Sequence, residues 1–134
     1  MSHLLLRTDG GSRGNPGPSG IGVVIEDAVT GEVLEEHKRF IGRTTNNQAE
    51  YQAVILGLER CHALGALCVD VLADSELLVR QAKGEYRVKN VDLQARFREM
   101  KSLVARIPTV RFRHVRREEN THADRLANEA MDEA

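Results

Sequence analysis

Four acidic side chains stand where the sequence predicts that strands or helices begin or end. Asp9 follows a short apolar stretch and precedes a glycine-rich segment, and Asp74 follows a second apolar stretch. Glu50 lies in the first turns of a predicted helix, and Asp124 in the first turn of another. Because ligands of α/β proteins collect beyond the carboxyl ends of strands, these carboxylates could meet in one cluster. Their mutual repulsion would then favour a bound hard divalent cation.

Each of these acids also has a simpler interpretation. The intervals between them are too long for spacing alone to establish that they converge, and acidic residues are mostly solvated at the surface. The Asp9-Gly10 dipeptide is in addition typical of a hairpin turn. The residues therefore predict a cation site only if the fold brings the four carboxylates together.

The hydrophobic pattern around the acids predicts a mixed α/β sheet with helices on both faces. Three consecutive short strands favour an antiparallel meander, and the later strands are separated by helices, which implies right-handed crossovers. Thr45 and Gln48 form a capping-box pattern, Pro108 ends the third helix, and Asn120 is expected to cap the last one. The predicted strands are 4–8, 21–25, 33–41, 67–73 and 110–115, and the predicted helices are 45–65, 75–83, 92–106 and one that follows Asn120.

Length and composition predict a soluble single domain over residues 1–134, located in the cytoplasm. No basic-plus-apolar leader and no apolar run of membrane-spanning length is evident, so no membrane association is expected. Cys61 and Cys68 lack the spacing of a zinc or redox pair and are expected to be small apolar residues.

Basic charge is concentrated in one part of the chain, although the net charge is only −1. The segment 80–117 holds 12 of the 19 Lys and Arg residues but 3 of the 20 Asp and Glu residues. This asymmetry favours a polyanionic partner, although solvated helix faces would give the same pattern. Aromatic residues make up only 4% of the chain, so a nucleic acid would be held mainly by its backbone.

Four blocks of the sequence resemble the motifs of type 1 ribonucleases H, in the order of that family and across essentially the whole chain. They are Thr8-Asp9-Gly10-Gly11-Ser12 with Gly14-Asn15-Pro16-Gly17-Pro18, Thr44-Thr45-Asn46-Asn47-Gln48-Ala49-Glu50, Ala73-Asp74-Ser75, and Asn120-Thr121-His122-Ala123-Asp124-Arg125-Leu126-Ala127. The resemblance implies a five-stranded mixed sheet whose first three strands are antiparallel. It also implies endonucleolytic cleavage of the RNA strand in RNA–DNA hybrids.

The resemblance assigns the metal-binding and catalytic set to Asp9, Glu50, Asp74 and Asp124. By analogy with the family, two Mg²⁺ ions, or Mn²⁺ as a substitute, would lie roughly 4 Å apart, activate the attacking water and stabilise the leaving oxygen. Asp9 would bridge both ions, Glu50 and Asp74 would fix one, and Asp124 the other.

Polar residues near the acids match the family's positions that read the RNA 2′-hydroxyl. They are Gly11, Ser12, Asn46 and Asn47, with Asn15 as a weaker match. The same residues also suit a turn and a helix start, which is their structural interpretation. The resemblance favours contact with the substrate.

The chain departs from the better-known family pattern in its basic and histidine residues. The Lys/Arg-rich protrusion that many members insert after the second helix is not evident, and the loop before Asp124 is too short to align cleanly. His114 and His122 are possible accessory residues, although a partly buried strand histidine is the simpler role for His114. Four arginines could hold phosphates of the DNA strand or form a solvated strand face. They are Arg111, Arg113, Arg116 and Arg117.

Two further functions remain open at this point. A module that binds hybrids without cleaving them would share the fold, and so would a nuclease that also cleaves double-stranded RNA. No obligatory protein partner is evident, and a monomer is expected.

Overall fold

A computed structural model describes residues 3–134 of the chain. It contains five strands, four α-helices and one 3₁₀ turn. The strands are β1 (His3–Ser12), β2 (Gly17–Asp27), β3 (Val33–Thr44), β4 (Cys68–Ala73) and β5 (Thr109–His114). The helices are α1 (Asn46–Ala63), α2 (Glu76–Ala82), α3 (Val91–Val104) and α4 (Thr121–Asp132), and the 3₁₀ turn spans Arg117–Glu119.

The strands form one mixed sheet in the order β3-β2-β1-β4-β5. The first three strands are antiparallel neighbours, whereas β4 pairs in parallel with both β1 and β5. Each parallel connection passes through helices, as crossovers between parallel strands require. The predicted sheet of five strands, with its antiparallel first half, is thereby confirmed.

Helices cover both faces of the sheet, because alternate residues of β2 belong to different apolar clusters. Val23 and Ile25 are part of the main core, which also contains the buried side of α1. Val24 points the other way and packs with Ala123 and Leu126 of α4. This arrangement follows from the two-residue period of a strand. It confirms the prediction of helices on both faces.

The first two strands are longer than predicted. The glycine-rich segment after Asp9 was expected to be a turn, but β1 continues to Ser12 and Gly10 pairs with Ile21. The parallel pairing of β1 with β4 does stop at Thr8 and Ala73. Asp9 therefore lies inside an antiparallel hairpin but directly beyond the last parallel pair, at the same edge as Asp74.

The predicted side-chain caps of α1 and α4 have different outcomes. Thr45 caps α1, since its hydroxyl oxygen accepts a hydrogen bond from the Gln48 backbone N–H at 3.2 Å. Asn120 occupies the cap position of α4, but the prediction that its side chain caps the helix was wrong. That side chain instead donates to the Thr8 carbonyl at 2.8 Å, and this long-range bond leaves no local signal in the sequence.

The connection between α2 and α3 is a short loop over residues 83–90, without the helical insertion that forms a basic protrusion in many relatives. Two glutamine side chains hold this loop, because Gln81 donates to the Arg87 carbonyl at 3.4 Å and Gln94 to that of Val88 at 2.9 Å. None of the helices within residues 3–134 has both the length and the apolar character needed to cross a membrane.

Candidate active site

The four predicted acids line one cavity of about 380 Å³ at the carboxyl end of the parallel strands. Asp9, Glu50 and Asp74 each contribute a carboxylate oxygen, and these oxygens lie within 4.8 Å of one another. Asp124 enters from α4 and is close enough to raise the pKa of Asp9. The fold therefore brings together residues that are separated by up to 115 positions in the sequence.

Close backbone contact places Glu50 beside Asp9. Gly10 lies directly against the first turn of α1, where a Cβ atom at that position would overlap the backbone of Ala49 and Glu50. Any other residue would have to push α1 away from β1. Asp74 is placed by the end of β4, and the next residue, Ser75, begins α2 by accepting a hydrogen bond from the Leu78 backbone N–H at 3.2 Å.

A second glycine contact places Asp124. A Cβ atom on Gly22 would overlap the Ala123 carbonyl oxygen, so α4 approaches β2 more closely than a side chain would permit. The bond from Asn120 to Thr8 holds the start of α4 next to β1. Both contacts bring the first turn of α4 over the strand that carries Asp9.

Burial and mutual repulsion disfavour charge on these carboxylates. Burial and the charge of Asp74 raise the pKa of Asp9 from its ordinary value of 3.8 to about 8, and Asp124 adds to the effect. Burial raises the pKa of Glu50 from 4.5 to about 7. The pKa of Asp74 is also raised by burial, although the Arg117 charge opposes the shift. The protein itself thus leaves this cluster short of positive charge.

The donor atoms fit a hard divalent cation. All four acids offer carboxylate oxygens, which are the ligands that Mg²⁺ and Mn²⁺ prefer, and the cavity they line is open enough for water to complete the coordination. A cation bound there would relieve the repulsion that raises the pKa of Asp9 and Glu50.

The predicted substrate-binding residues divide between two cavities. Gly11, Ser12 and Asn46 line the acid cavity, whereas Asn15 and Asn47 line a neighbouring one. Asn15 connects the two, because its side-chain oxygen accepts a hydrogen bond from the Asn46 backbone N–H at 3.0 Å. The Ser12 hydroxyl bonds to the carbonyls of the adjoining loop and strand, so it also shapes the hairpin.

The predicted accessory histidines lie outside the acid cavity. His114 lies on β5 as predicted, but the expectation that it is partly buried was wrong, because it is exposed at the last position of the strand. His122 turns toward β3, where its Nε2 lies 2.8 Å from a carboxylate oxygen of Glu36. Neither histidine is among the residues that line the cavity.

The four arginines considered as phosphate ligands differ in their surroundings. Arg111 donates two hydrogen bonds to Asp70, at 2.7 and 3.1 Å, and is therefore engaged within the protein. Arg117 lines the acid cavity, with its guanidinium 3.6 Å from a carboxylate oxygen of Asp124. The sequence left phosphate contact and a solvated strand face open for all four arginines, and it gave no signal that would separate Arg111 from Arg117.

Other lining residues gave no signal in the sequence. Arg13, Asn128 and Met131 complete the acid cavity, and the second cavity includes Asn90 and Arg96. Asn90 resembles an ordinary helix cap, a role that it also has, because its side-chain oxygen accepts from the Leu93 backbone N–H. The packing of α3 beside α1 brings Asn90 and Arg96 to the second cavity.

A second group of metal-ligand type lies at the opposite end of the same strands. Donor atoms of His3, Cys68 and Asp70 also lie within 4.8 Å of one another. In this group the positive charge comes from an arginine side chain. The Arg111 guanidinium donates to Asp70 and lies 3.4 Å from the Cys68 sulfur. Hydrogen bonds from Arg111 and His3 lower the pKa of Asp70.

Comparison with known proteins gives the same family throughout. The family described as reverse transcriptase-like matches residues 7–130. The chain is 46% identical over 131 residues to Bifunctional protein Rv2228c of Mycobacterium tuberculosis, with 98% of this chain but 36% of that protein covered. It is 34% identical over 148 residues to Ribonuclease H of Rhodopseudomonas palustris, with 98% and 93% covered. The chain thus spans about a third of the length of the mycobacterial relative.

A solved structure gives the same result. LC11-RNase H1, crystallised in complex with an RNA/DNA hybrid, superposes with a TM-score of 0.92 at 46% identity, and 97% of each chain is covered. Residues 7–130, which the family model matches, include all four acids. The chain belongs to the ribonuclease H family.

Proposed function

We propose that this protein is a metal-dependent endoribonuclease that hydrolyses the RNA strand of RNA–DNA hybrids, with Mg²⁺ as its cofactor. The observation that carries the proposal is the convergence of Asp9, Glu50 and Asp74, whose oxygens lie within 4.8 Å in a cavity that Asp124 also lines. Family membership and the hybrid bound to LC11-RNase H1 support the substrate. A binding module without turnover would have no need to keep four mutually repelling carboxylates together.

The carboxylates of the four acids would hold the divalent ions. Bound ions would supply a lowered pKa of the attacking water and positive charge beside the phosphate during in-line displacement. The chain contributes fixed positions, because Gly10 keeps Glu50 against Asp9 and Gly22 keeps Asp124 above the same strand. The open mouth of the cavity admits a phosphate of the RNA backbone next to Gly11 and Asn46.

The neighbouring cavity suits the phosphates of the other strand. Its lining is rich in amide and hydroxyl groups, and it contains one positive side chain, Arg96, and one negative side chain, Asp92. Asn15 connects it with the acid cavity through the start of α1. A duplex could therefore place one strand at the acids and the other at the amides, with recognition through backbone and 2′-hydroxyl contacts.

The test is cleavage of matched labelled duplexes by the purified protein. RNA–DNA, RNA–RNA and DNA–DNA of one sequence are incubated with Mg²⁺, with Mn²⁺ or with chelator. We expect internal cleavage of the RNA strand of the hybrid, only with a divalent ion. Cleavage of RNA–RNA at a comparable rate would widen the substrate class, and binding of the hybrid without cleavage in either metal would overturn the proposal.

Asp9→Asn serves as the inactive variant and Asp70→Asn as its matched control. Both replace a carboxylate on the same face of adjacent strands by an amide, but only Asp9 belongs to the acid cavity. Equal loss of cleavage in both variants would point to a general effect on folding. The monomeric state, the single-domain organisation and the cytoplasmic location stay predictions.

A further inference from the structure

The amino end of the parallel strands holds three side chains of zinc-ligand type on one face of the sheet. His3 and Cys68 are direct neighbours in the ladder of β1 and β4, and Asp70 follows Cys68 by two positions on β4. Because side chains alternate between the faces of a strand, Cys68 and Asp70 point to the same side. An imidazole nitrogen, a thiol sulfur and a carboxylate oxygen lie within 4.8 Å of one another. The sheet itself therefore sets the positions of these donor atoms.

The spacing of the donor atoms is close to that of a tetrahedral zinc site. Zinc binds sulfur at about 2.3 Å and nitrogen or oxygen at about 2.0–2.2 Å, so its ligand atoms lie about 3.3–3.6 Å apart. The His3 Nε2 atom is 2.6 Å from a carboxylate oxygen of Asp70. Small rotations of the side chains, with the strands unmoved, can place the three donor atoms around one ion.

The group is open to solvent on one side. The side chains of His3 and Asp70 are 34% and 17% exposed, and Cys68 is half-buried. An ion can therefore enter from solvent and keep a water molecule as its fourth ligand, as zinc does in sites with three protein ligands.

Arg111 supplies the positive charge when no metal ion is bound. Its guanidinium donates to Asp70 at 2.7 and 3.1 Å and lies 3.4 Å from the Cys68 sulfur. The Arg111 side chain is 59% exposed, so solvent screens this ion pair and the guanidinium can leave it at little cost. Arg111 thus covers the donor atoms without closing them off.

The two ends of β1 and β4 suit different ions. Thiolate and imidazole ligands favour zinc, whereas carboxylate and water ligands favour Mg²⁺ and Mn²⁺. Within residues 3–134, neither a cysteine nor a histidine lines the acid cavity. We therefore expect the hard ions at the acids and zinc at the His3 end.

We propose that His3, Cys68 and Asp70 form a zinc-binding site in which zinc replaces the Arg111 guanidinium. On binding, the Cys68 thiol releases its proton to solvent and binds as the thiolate. The ion would join β1 to β4 and stabilise the folded state. The site does not depend on the proposed function, because it lies at the opposite end of the strands from the acid cavity. Spacing along the chain gave no sign of it, since only strand pairing brings His3 beside Cys68.

Co²⁺ is the probe, because a bond between cobalt and a thiolate gives a near-ultraviolet charge-transfer band that oxygen ligands do not give. The Asp9→Asn variant is titrated with Co²⁺ in excess Mg²⁺, which keeps cobalt from the acids, and zinc is then added. We expect the band to appear with Co²⁺ and to disappear when zinc displaces it. Cys68→Ala in the same background should give no band. The matched control Cys61→Ala should keep it, because Cys61 belongs to the main core.

Competition against Co²⁺ then measures the zinc affinity of further variants in the same background. His3→Ala and Asp70→Asn should each weaken zinc binding at least about tenfold, since even residues that only orient metal ligands contribute that much. Arg111→Gln should tighten zinc binding by about two- to fivefold, because it removes the ion pair that competes with the metal.

The inference is overturned if Co²⁺ gives no thiolate band, if Cys68→Ala keeps the band, or if His3→Ala binds zinc as tightly as its parent. An unchanged zinc affinity in Arg111→Gln would contradict the replacement of Arg111 by the metal. None of these measurements requires turnover, so their failure leaves the proposed nuclease activity standing. That activity fails separately, when the wild type does not cleave the hybrid.

Discussion

The two ends of strands β1 and β4 carry acids in opposite electrostatic states. At the amino end, Asp70 accepts hydrogen bonds from Arg111, lies 2.6 Å from His3, and has a lowered pKa. At the carboxyl end, Asp9 lies among other acids, and its pKa is raised to about 8. Both ends hold three ligand-type side chains with donor atoms within 4.8 Å. Clustering alone therefore does not distinguish a site from a structural contact.

The difference lies in where the neutralising charge comes from. Asp70 receives it from side chains of its own chain, so the group is satisfied in the folded protein. In the acid cavity of the described chain, Arg117 is the nearest available cation and lies 3.6 Å from Asp124. Neutralising charge there has to come from outside the chain, as protons or as the divalent ion that we propose.

The largest expected difference between the two ends is in cleavage. Asp9→Asn should lower hybrid cleavage at least 10³-fold, because the amide removes a charged ligand at the centre of the cluster. Asp70→Asn should leave the rate within about twofold, since Asp70 lies at the far end of the strands. Gel assays of a labelled hybrid measure both, and strong loss in Asp70→Asn would break the comparison.

Hard divalent ions should stabilise the folded protein by binding at the acid cavity, at the carboxyl end of β1 and β4, and not at the amino end of these strands. At a concentration about 100 times the dissociation constant, Mg²⁺ or Mn²⁺ would add about 2.7 kcal/mol, enough to raise Tm by several degrees in a domain of this size. Thermal unfolding with and without the ion measures the shift. Asp9→Asn should lose most of it, and Asp70→Asn should keep it.

The two ends should also give opposite pH dependences. Without metal, Asp9 and Glu50 bind protons more tightly in the folded state, because their pKa values rise to about 8 and about 7. The free energy of unfolding should therefore fall as pH rises from about 5 to 8, by about 1.4 kcal/mol per pH unit for each extra proton that the folded state holds. Asp70 has a lowered pKa, so its contribution is present above its ordinary value of 3.8 and is lost only in acid.

Urea unfolding in chelator at several pH values measures these slopes. Asp9→Asn should flatten the fall between pH 5 and 8, and saturating metal should do the same in the wild type. Asp70→Asn should change the pH dependence of the free energy of unfolding only at acidic pH. A metal-free wild type whose stability rises steadily from pH 5 to 8 would contradict the repulsion inferred in the cluster.

The smallest expected effect is structural. Asp70→Asn should lower the free energy of unfolding by about 1 kcal/mol at pH 7, because its contact with the half-exposed Arg111 is partly screened by solvent. Asp9→Asn should instead raise the free energy of unfolding at pH 8 without metal. Equal destabilisation by both variants would remove the contrast between the two ends.

Local sequence signals predicted much of the scaffold and the acids but not their surroundings. Alternating strands and the Thr45 cap predicted the sheet, whereas the four carboxylates were selected by the resemblance to ribonuclease H motifs and not by local pattern. Asn120 was expected to cap α4 because cap preference is a local property, yet its side chain bonds to a strand 112 positions earlier. The length of β1 was underestimated because a run of glycines resembles a turn unless its pairing partner is known.

The roles of the charged residues depended even more on the tertiary fold. His122 lies two positions before Asp124 but turns away to Glu36, because successive positions on a helix face different directions. Arg111 and Arg117 belong to one basic segment, and only the fold pairs one with Asp70 and leaves the other at the cavity. Spacing along the chain contains no information on such long-range partners.

The most direct test of the contrast is to locate Mn²⁺ by its anomalous scattering in crystals of the protein. Our interpretation predicts a Mn²⁺ peak within bonding distance of the Asp9, Glu50 and Asp74 oxygens, and none at His3, Cys68 and Asp70. The absence of a peak at the acid cavity, at a concentration that supports cleavage in solution, would contradict it, as would a peak confined to the His3 end.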